Sequence, residues 1–285
     1  MNSSTSKNQI ICKMCKSADC ELFSNYLVLN KYRSNLYKCK SCKFHWLSNS
    51  EIWLAEAYDQ SICISDTGIV IRSLFMSKFA IVFLYLINTN NKVLDWGAGS
   101  GLFVRFLRDK GVSCEGFEPY GNSPLAQAFC YKKNPLSDKK NYKIIFATEV
   151  LEHIVNPSEL LDQILKKSDS IIFTTQLVPS NEKIKDWWYI ANELGQHICF
   201  QSEKSLREYA KSKNLYCVLS RKLGIHLVTK SKYHQIIFKL ILGKKRILLL
   251  YLPILLLKKF SKNQCNAQKD NEDCMNLIKQ SFLQN

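Results

Sequence analysis

The sequence predicts an α/β protein whose core is a doubly wound, mostly parallel sheet. Short apolar runs typical of strands alternate with helical segments between residues 92 and 230. A glycine-rich turn, DWGAGSG at residues 95–101, directly follows the first of these strands. The last two strand-like runs, at 215–221 and 224–230, have no helix between them, which predicts an antiparallel hairpin at one edge of the sheet.

Length and composition limit the alternatives. The 285 residues are 46% apolar, enough for one full-sized core plus a small appendage. The N-terminal stretch MNSSTSKNQIICKMC lacks the apolar run of a secretory leader, so we expect a cytoplasmic, reducing location. The 12 cysteines therefore favour metal ligands and buried thiols over disulfides.

The first element is a cysteine module over residues 1–48. It holds two C-x2-C pairs, Cys12 with Cys15 and Cys39 with Cys42, separated by 23 residues that fit a small hairpin. Two such pairs present four thiolates to one tetrahedral ion, the pattern of a structural zinc ribbon. The alternative is reduced thiols in an irregular extension.

The sheet domain is expected to cover residues 49–232. Residues 51–88 contain helical segments, of which the second is too short, and too interrupted by Lys78, for a membrane span. The predicted order that follows is strand KVLDW, helix GLFVRFLRDKG, strand VSCEGFEP, helix SPLAQAFCYKK, strand YKIIFAT, helix PSELLDQILKK, strand SIIFTT and helix SEKSLREYAKSKN.

The glycine-rich turn predicts a ligand site. It lets the backbone approach a ligand closely and points helix N-terminal amides at it. Asp95 stands just before the glycines, where a carboxylate attracts a cation and repels a diphosphate. Glu118 ends the second strand, where a carboxylate can hold two ribose hydroxyls. The pair fits S-adenosylmethionine, although Asp95 could also be a simple turn cap.

The segment EVLEH after the fourth strand suggests catalytic groups. In a helical turn Glu149, Glu152 and His153 share one face, and His197 ends the lid segment of residues 177–197. These four side chains could hold a divalent ion that acidifies an acceptor hydroxyl. Alternatively His153 or His197 acts as a general base, or Glu152 and His153 only brace the turn.

The lid segment carries an aromatic cluster, Trp187, Trp188 and Tyr189. Flat aromatic faces stack on sugars or bases. The cluster could equally pack over the site without touching an acceptor.

These motifs together resemble a known family. VLDWGAGSG, GFEP and ATEVLEHIVNP look like the cofactor motifs of class I S-adenosylmethionine-dependent methyltransferases, which have a Rossmann-like sheet, and the resemblance covers roughly residues 70–230. The cysteine module, WLAEAYDQSI, SDTGIVIR and WWYIANELGQHICFQS resemble a bacterial subgroup associated with surface-polysaccharide biosynthesis. The EVLEH segment with a downstream His is similar to metal-dependent O-methyltransferases.

The resemblance implies specific cofactor contacts. The methionine side would be lined by Asp95, Gly97, Gly99 and Gly101. Glu118 would bind the ribose, and Thr148 and Glu149 would lie under the methyl donor. The chain departs from many relatives at Tyr142 and Lys143, which replace an acid before the fourth strand, and Asp138 is a candidate for the adenine end.

The net charge of +16 is concentrated in the flanks. Residues 221–262 contain eleven basic residues and no acid, whereas residues 46–220 balance at nineteen of each. In the basic helical segment 233–262, the longest apolar run has eleven residues, too short to span a bilayer. We therefore expect peripheral contact with the inner membrane face through residues 236–260, or else packing on the domain or a subunit. The tail 263–285 is expected to be disordered.

These observations predict an enzyme that methylates a hydroxyl on a sugar or lipid-linked glycan in surface-polysaccharide biosynthesis. One alternative is an RNA methyltransferase, which the basic flanks would also serve. The coincidence of basic residues with leucine runs favours lipid over nucleic acid. A non-catalytic cofactor-binding module is the third alternative, which the retained Asp95 and Glu118 disfavour.

Overall fold

The computed structural model describes residues 10–58, 66–137, 140–179, 184–260 and 267–283. The strands are β1 (Cys20–Val28), β2 (Tyr32–Cys39), β3 (His45–Leu47), β4 (Val93–Trp96), β5 (Cys114–Phe117), β6 (Cys130–Tyr131), β7 (Tyr142–Thr148), β8 (Ser168–Thr174), β9 (Cys199–Phe200), β10 (Tyr216–Ser220) and β11 (Ile225–Thr229). The α-helices are α1 (Leu54–Ala57), α2 (Ile69–Leu86), α3 (Leu102–Asp109), α4 (Pro157–Lys167), α5 (Glu203–Ser212), α6 (Lys232–Ile241), α7 (Lys244–Phe260) and α8 (Ala267–Leu283).

The main sheet has seven strands in the order β10-β11-β8-β7-β4-β5-β6. Strands β4 to β8 pair in parallel, and β11 runs antiparallel to both β8 and β10. The predicted doubly wound fold with an antiparallel edge hairpin is therefore confirmed. The strand order changes direction between β4 and β7, and open α/β sheets bind ligands at the carboxyl ends of the strands flanking such a point.

Apolar clusters cover both faces of the central strands. Phe146 on β7 and Ile172 on β8 belong to a cluster with residues of α2, α3, α6 and α7, and the alternate residues Ile145 and Phe173 belong to a cluster with residues of α4 and α5. Helix α2 is, among the described residues, the one helix long and apolar enough to cross a bilayer, but half of it is buried inside the protein. A buried core helix has the same composition.

The cysteine module forms a second, antiparallel sheet, β1-β2-β3-β9. Its fourth strand comes from the main domain, because β9 directly follows the lid segment. His45 pairs with Phe200 and Trp46 with Cys199, and the Leu47 amide donates to the Ile198 carbonyl at 2.8 Å. The cysteine module and the main domain thus share one sheet, through a strand that directly follows the lid segment.

The structure corrects the helix predicted over residues 123–133. A 3-10 turn, Gln127–Phe129, and strand β6 stand in its place. Residues Cys130 and Tyr131 pair in parallel with Gly116 and Phe117 at the sheet edge. This pairing overrides the helical preference of the local sequence, because propensity is a weak force beside tertiary contacts.

The structure also corrects the disordered tail predicted for residues 263–285. Ala267–Leu283 forms α8, while the rest of that tail lies outside the described residues. Helix α8 is attached by Asp270, a buried carboxylate that accepts from Arg105 at 2.7 Å and from two nitrogens of Arg108 at 2.5 and 2.7 Å. These partners lie more than 160 residues earlier, so no local pattern in the tail predicts them.

Candidate active site

A cavity of about 1090 Å³ opens at the carboxyl ends of β4, β5 and β7. Most residues that the sequence assigns to the site line it: Asp95, Gly97, Gly99, Glu118, Thr148, Glu149, His153 and His197. Gly101 and Glu152 lie behind the lining. Asp138, the candidate for the adenine end, is outside the described residues.

In the glycine turn, Gly97 and Gly101 are required by packing, whereas Gly99 leaves room for a ligand. Gly97 has φ of 76°, and a Cβ there would lie 2.7 Å from Cγ2 of Val150. Gly101 packs in the same way, because its Cβ would lie 2.8 Å from that of Ala126. Gly99 has φ of 52°, and a Cβ there would meet no described atom within 4 Å. The backbone at Gly99 is therefore open to close approach by a ligand.

Glu118 holds the two loops at this end of the cavity together. One carboxylate oxygen accepts from the Gly99 amide at 2.8 Å, and the other from the amides of Tyr120 and Gly121 at 2.9 and 3.1 Å. A carboxylate can accept about four hydrogen bonds, so roughly one site is left for a ligand. The predicted ribose-binding residue therefore also fixes the conformation of the glycine turn.

Asp95 lies at the carboxyl end of β4, on the lining of the cavity, as a buried acid. Its side chain is buried, and Oδ1 has no hydrogen-bond partner among the described residues. Burial, and then the nearby Glu118 carboxylate, raise the pKa of Asp95 from 3.8 to about 8. A positive group placed in the cavity beside Asp95 would relieve both effects.

Three polar side chains converge beside the cavity, just after β7 and at the end of the lid segment. One potential ligand atom from each of Glu152, His153 and His197 lies within 4.8 Å of the others. The imidazole Nδ1 atoms lie 3.0 Å from the Gln196 carbonyl and 2.5 Å from the Tyr189 carbonyl, respectively. Because a carbonyl only accepts, Nδ1 donates in both rings, and each neutral ring keeps an Nε2 lone pair.

The electrostatics of this cluster keep both imidazoles neutral. Burial and then His197 lower the pKa of His153 to about 3, and burial lowers the pKa of His197. Burial and then Glu149 raise the pKa of Glu152 to about 8. The Oε2 atom of Glu152 is buried and has no partner among the described residues, while Tyr189 donates a short hydrogen bond to its other oxygen.

Glu149 lies at the cavity but outside the converging group. It has φ of 53°, a left-handed conformation that turns its side chain toward β8. There it accepts from the Thr174 hydroxyl at 2.6 Å, and its other oxygen lies 3.4 Å from the Tyr189 hydroxyl, whose proton goes to Glu152. The preceding Thr148 has a buried hydroxyl with no partner among the described residues.

Aromatic rings form one wall of the cavity. Tyr58 stacks on Tyr120, with ring centroids 5.1 Å apart, and meets the His153 ring edge-on at 5.9 Å. In the lid segment, Trp188 lines the cavity and stays 74% exposed, whereas Trp187 packs inward against Phe200. Of the three aromatic residues singled out in the lid, only Trp188 offers an open face.

Sequence reasoning missed the ion pair at the start of α2. Arg72 donates to both carboxylate oxygens of Asp66 at 2.6 and 2.7 Å, and both residues line the cavity. Tyr58, in the aromatic wall, was missed as well. All three residues precede β4, the first strand of the main sheet along the chain, and no spacing in the sequence ties them to the glycine turn.

The four cysteines of the module lie close enough to share one metal ion. The Sγ atoms of Cys12 and Cys42 are 3.6 Å apart, as are those of Cys15 and Cys39, and all four lie within 4.8 Å of one another. Four sulfurs about 2.3 Å from a tetrahedral zinc ion would be about 3.8 Å apart. The donor set and spacing therefore fit zinc.

A family model described as a methyltransferase domain matches residues 72–220, which run from α2 through β10. No curated protein matches the chain.

Several solved structures are similar to this chain at low sequence identity. The plantazolicin methyltransferase BpumL, bound to a monoazolic desmethylPZN analog and SAH, has a TM-score of 0.46 at 12% identity, covering 70% of this chain and 88% of its own. Magnesium protoporphyrin IX methyltransferase from Synechocystis PCC 6803 has a TM-score of 0.40 at 13% identity, with coverages of 62% and 91%. Human N-acetylserotonin methyltransferase has a TM-score of 0.42 at 15% identity, with coverages of 64% and 68%. All three are too distant to indicate an acceptor.

Proposed function

The chain belongs to the methyltransferase-domain family, and from this premise we propose that it methylates a hydroxyl group using S-adenosylmethionine. The observation that carries the proposal is Asp95, a buried carboxyl with an unpartnered oxygen in the same cavity as the open backbone of Gly99. S-adenosylmethionine supplies an electrophilic methyl group on a positively charged sulfur.

The residues present fit this cofactor. Asp95 would bind its cationic methionyl end, and the Gly99 backbone would allow the cofactor to lie close against the turn. Glu118, already oriented by three backbone amides, would accept from a ribose hydroxyl with its remaining capacity.

The converging side chains would serve the acceptor hydroxyl. We propose that Glu152, His153 and His197 hold a divalent ion, since two imidazoles and one carboxylate are a common open metal site. The Nδ1 hydrogen bonds to backbone carbonyls are the arrangement that orients histidine ligands in metalloproteins. Such an ion would lower the pKa of a bound hydroxyl.

The same histidines support a second mechanism without metal. A neutral imidazole whose Nε2 carries a lone pair can accept the hydroxyl proton directly. The unpartnered Oε2 of Glu152 favours the metal, because a general base alone gives that buried atom no role.

For the acceptor we propose a sugar or a lipid-linked glycan. The open face of Trp188, which lines the same cavity as His153 and His197, suits the apolar face of a sugar ring, and sugar hydroxyl groups suit the polar side chains of that cavity. Zinc in the cysteine module would then be structural, holding the sheet that carries β9.

Two measurements test these assignments. The purified protein is incubated with methyl-labelled S-adenosylmethionine and, in parallel, nucleotide sugars, extracted lipid-linked glycans and RNA. Label transferred to a carbohydrate fraction supports the proposal, and transfer to RNA alone would replace it. Asp95→Asn serves as the cofactor-site control.

The metal is counted separately by elemental analysis. We expect about two metal equivalents per chain, one of which is lost in His197→Ala while the zinc in the cysteine module stays. If the wild type and His197→Ala each contain one metal equivalent and the wild type is fully active, the metal proposal is wrong and the histidines would act as general bases.

A further inference from the structure

Helix α7 exposes leucines on the side that faces away from the protein. Its inner residues Ile247, Tyr251 and Ile254 are buried in the cluster that contains α2. The exposed residues of α7, together with one from α6, form what we call the outer leucine face: Leu240, Leu248, Leu249, Leu252 and Leu256, each 53 to 73% exposed.

This arrangement differs from an ordinary surface helix. A helix on a globular protein buries an apolar stripe and presents polar residues to water. Here both the buried and the exposed sides of α7 are apolar. Its polar residues are instead at its first turn, where Lys244, Lys245 and Arg246 lie. Contiguous exposed apolar surface of this kind marks a contact site for a partner or a membrane.

The charge around the face identifies the chemistry of the partner. Five exposed cations accompany the leucines: Lys232, Lys239, Lys244, Lys245 and Arg246. Residues 221–262 contain no acid at all. Leucines flanked by cations fit a partner whose outer layer is negatively charged and whose next layer inward is apolar.

We propose that the outer leucine face docks on a phospholipid bilayer with anionic headgroups. The leucines enter the boundary between headgroups and acyl chains, and the cations lie among the headgroups. The apolar run of eleven residues is too short to span the bilayer, so the helices lie in its plane.

Two other partners fit less well. A second copy of this face would bring the same cations together with no acid to offset them, and like charges facing each other across an interface are repulsive. A nucleic acid would bind the cations but gives the leucines no apolar partner.

Vesicle flotation of the full chain tests the proposal. Vesicles of phosphatidylcholine alone are compared with vesicles that also contain phosphatidylglycerol, each at low and high salt. We expect the wild type to float with the anionic vesicles and to be released in part by salt. Replacing Leu248, Leu249 and Leu252 with Ser should lower the bound fraction at least tenfold.

Matched variants separate docking from misfolding. Leu22 and Leu27 are 54% and 46% exposed on β1, so their replacement by Ser changes exposed leucines at a distant surface and should leave flotation intact. Thermal unfolding checks that each variant is folded. Wild-type protein that stays with neither vesicle, or a triple variant that floats as well as the wild type, would overturn the proposal. So would a wild-type dimer that the triple variant converts to a monomer. The outcome is independent of the methyl-transfer proposal.

Discussion

Replacing Asp95 with Asn should stabilise the ligand-free protein and impair cofactor binding. The folded-state pKa of Asp95 is about 8, against 3.8 ordinarily, because its carboxyl is buried beside Glu118. Between about pH 4 and pH 8 the folded state therefore holds a proton that the unfolded state has lost, and stability falls as the pH rises through this window. At pH 7 the cost is on the order of 4 kcal/mol, which the amide does not incur.

The binding consequence has the opposite sign. At pH 7 a group with a pKa of about 8 is about nine-tenths protonated, so a cationic ligand that needs the carboxylate must expel about 0.9 proton. The ratio of wild-type to Asp95→Asn affinity should rise about tenfold from pH 6 to pH 7, since the ligand's own titration cancels in the ratio. At higher pH, loss of the charged hydrogen bond should leave the variant about 10- to 100-fold weaker.

Calorimetry tests both parts. Titrations in two buffers of different ionisation enthalpy give the number of protons released, and thermal unfolding gives the stability change. Neutral 5′-methylthioadenosine, which lacks the charged tail, is the control and should release almost none. A wild-type affinity that is flat between pH 6 and pH 7, or proton release that persists in Asp95→Asn, would refute the assignment of Asp95.

Three further changes give distinct outcomes. Cys42→Ser should lose the zinc equivalent and lower the melting temperature, and unchanged zinc on elemental analysis would remove the metal from the cysteine module. Asp270→Asn should cost about 3 kcal/mol in denaturant unfolding because it removes the carboxylate partner of the buried Arg108, whereas Arg105 keeps Asp109. The exposed neighbour Asp273→Asn should cost almost nothing, and equal effects of the two substitutions would contradict the attachment of α8. Gly99→Ala should weaken cofactor binding more than tenfold by filling the open backbone approach, while Gly111→Ala, with φ of 77°, carries similar backbone strain away from the cavity and should bind normally.

The sequence predicts the sheet and the cofactor end of the site because their signals are local. Each apolar strand is a short continuous run, and the three glycines of the turn lie within residues 95–101. The predicted methyltransferase domain and its sheet are confirmed. Asp95 lies near the end of β4 and Glu118 directly follows β5, and the carboxyl ends of these two parallel strands meet at one edge of the sheet.

The arrangement around Glu149, Tyr58 and Arg72 could not be predicted from the sequence, because it depends on one backbone dihedral angle and on contacts between distant segments. The spacing of EVLEH places three side chains on one helical face, but the left-handed φ at Glu149 turns its carboxylate away to Thr174. Tyr58 and Arg72 reach the cavity from segments before the sheet, and their positions follow from tertiary packing rather than from periodicity.

The pairing of β3 with β9 means that the sheet of the cysteine module is completed only late in synthesis. The ribosome releases residue 47 about 150 residues before residue 199, which at about 5–20 residues per second is a delay of roughly 8 to 30 s. During that interval β3 exposes an open edge, and only the hairpin and the thiols can hold the nascent module together. Metal capture by the emerging chain would therefore precede completion of the catalytic half, and zinc starvation should show first as aggregation of newly made chains rather than as failure of finished ones.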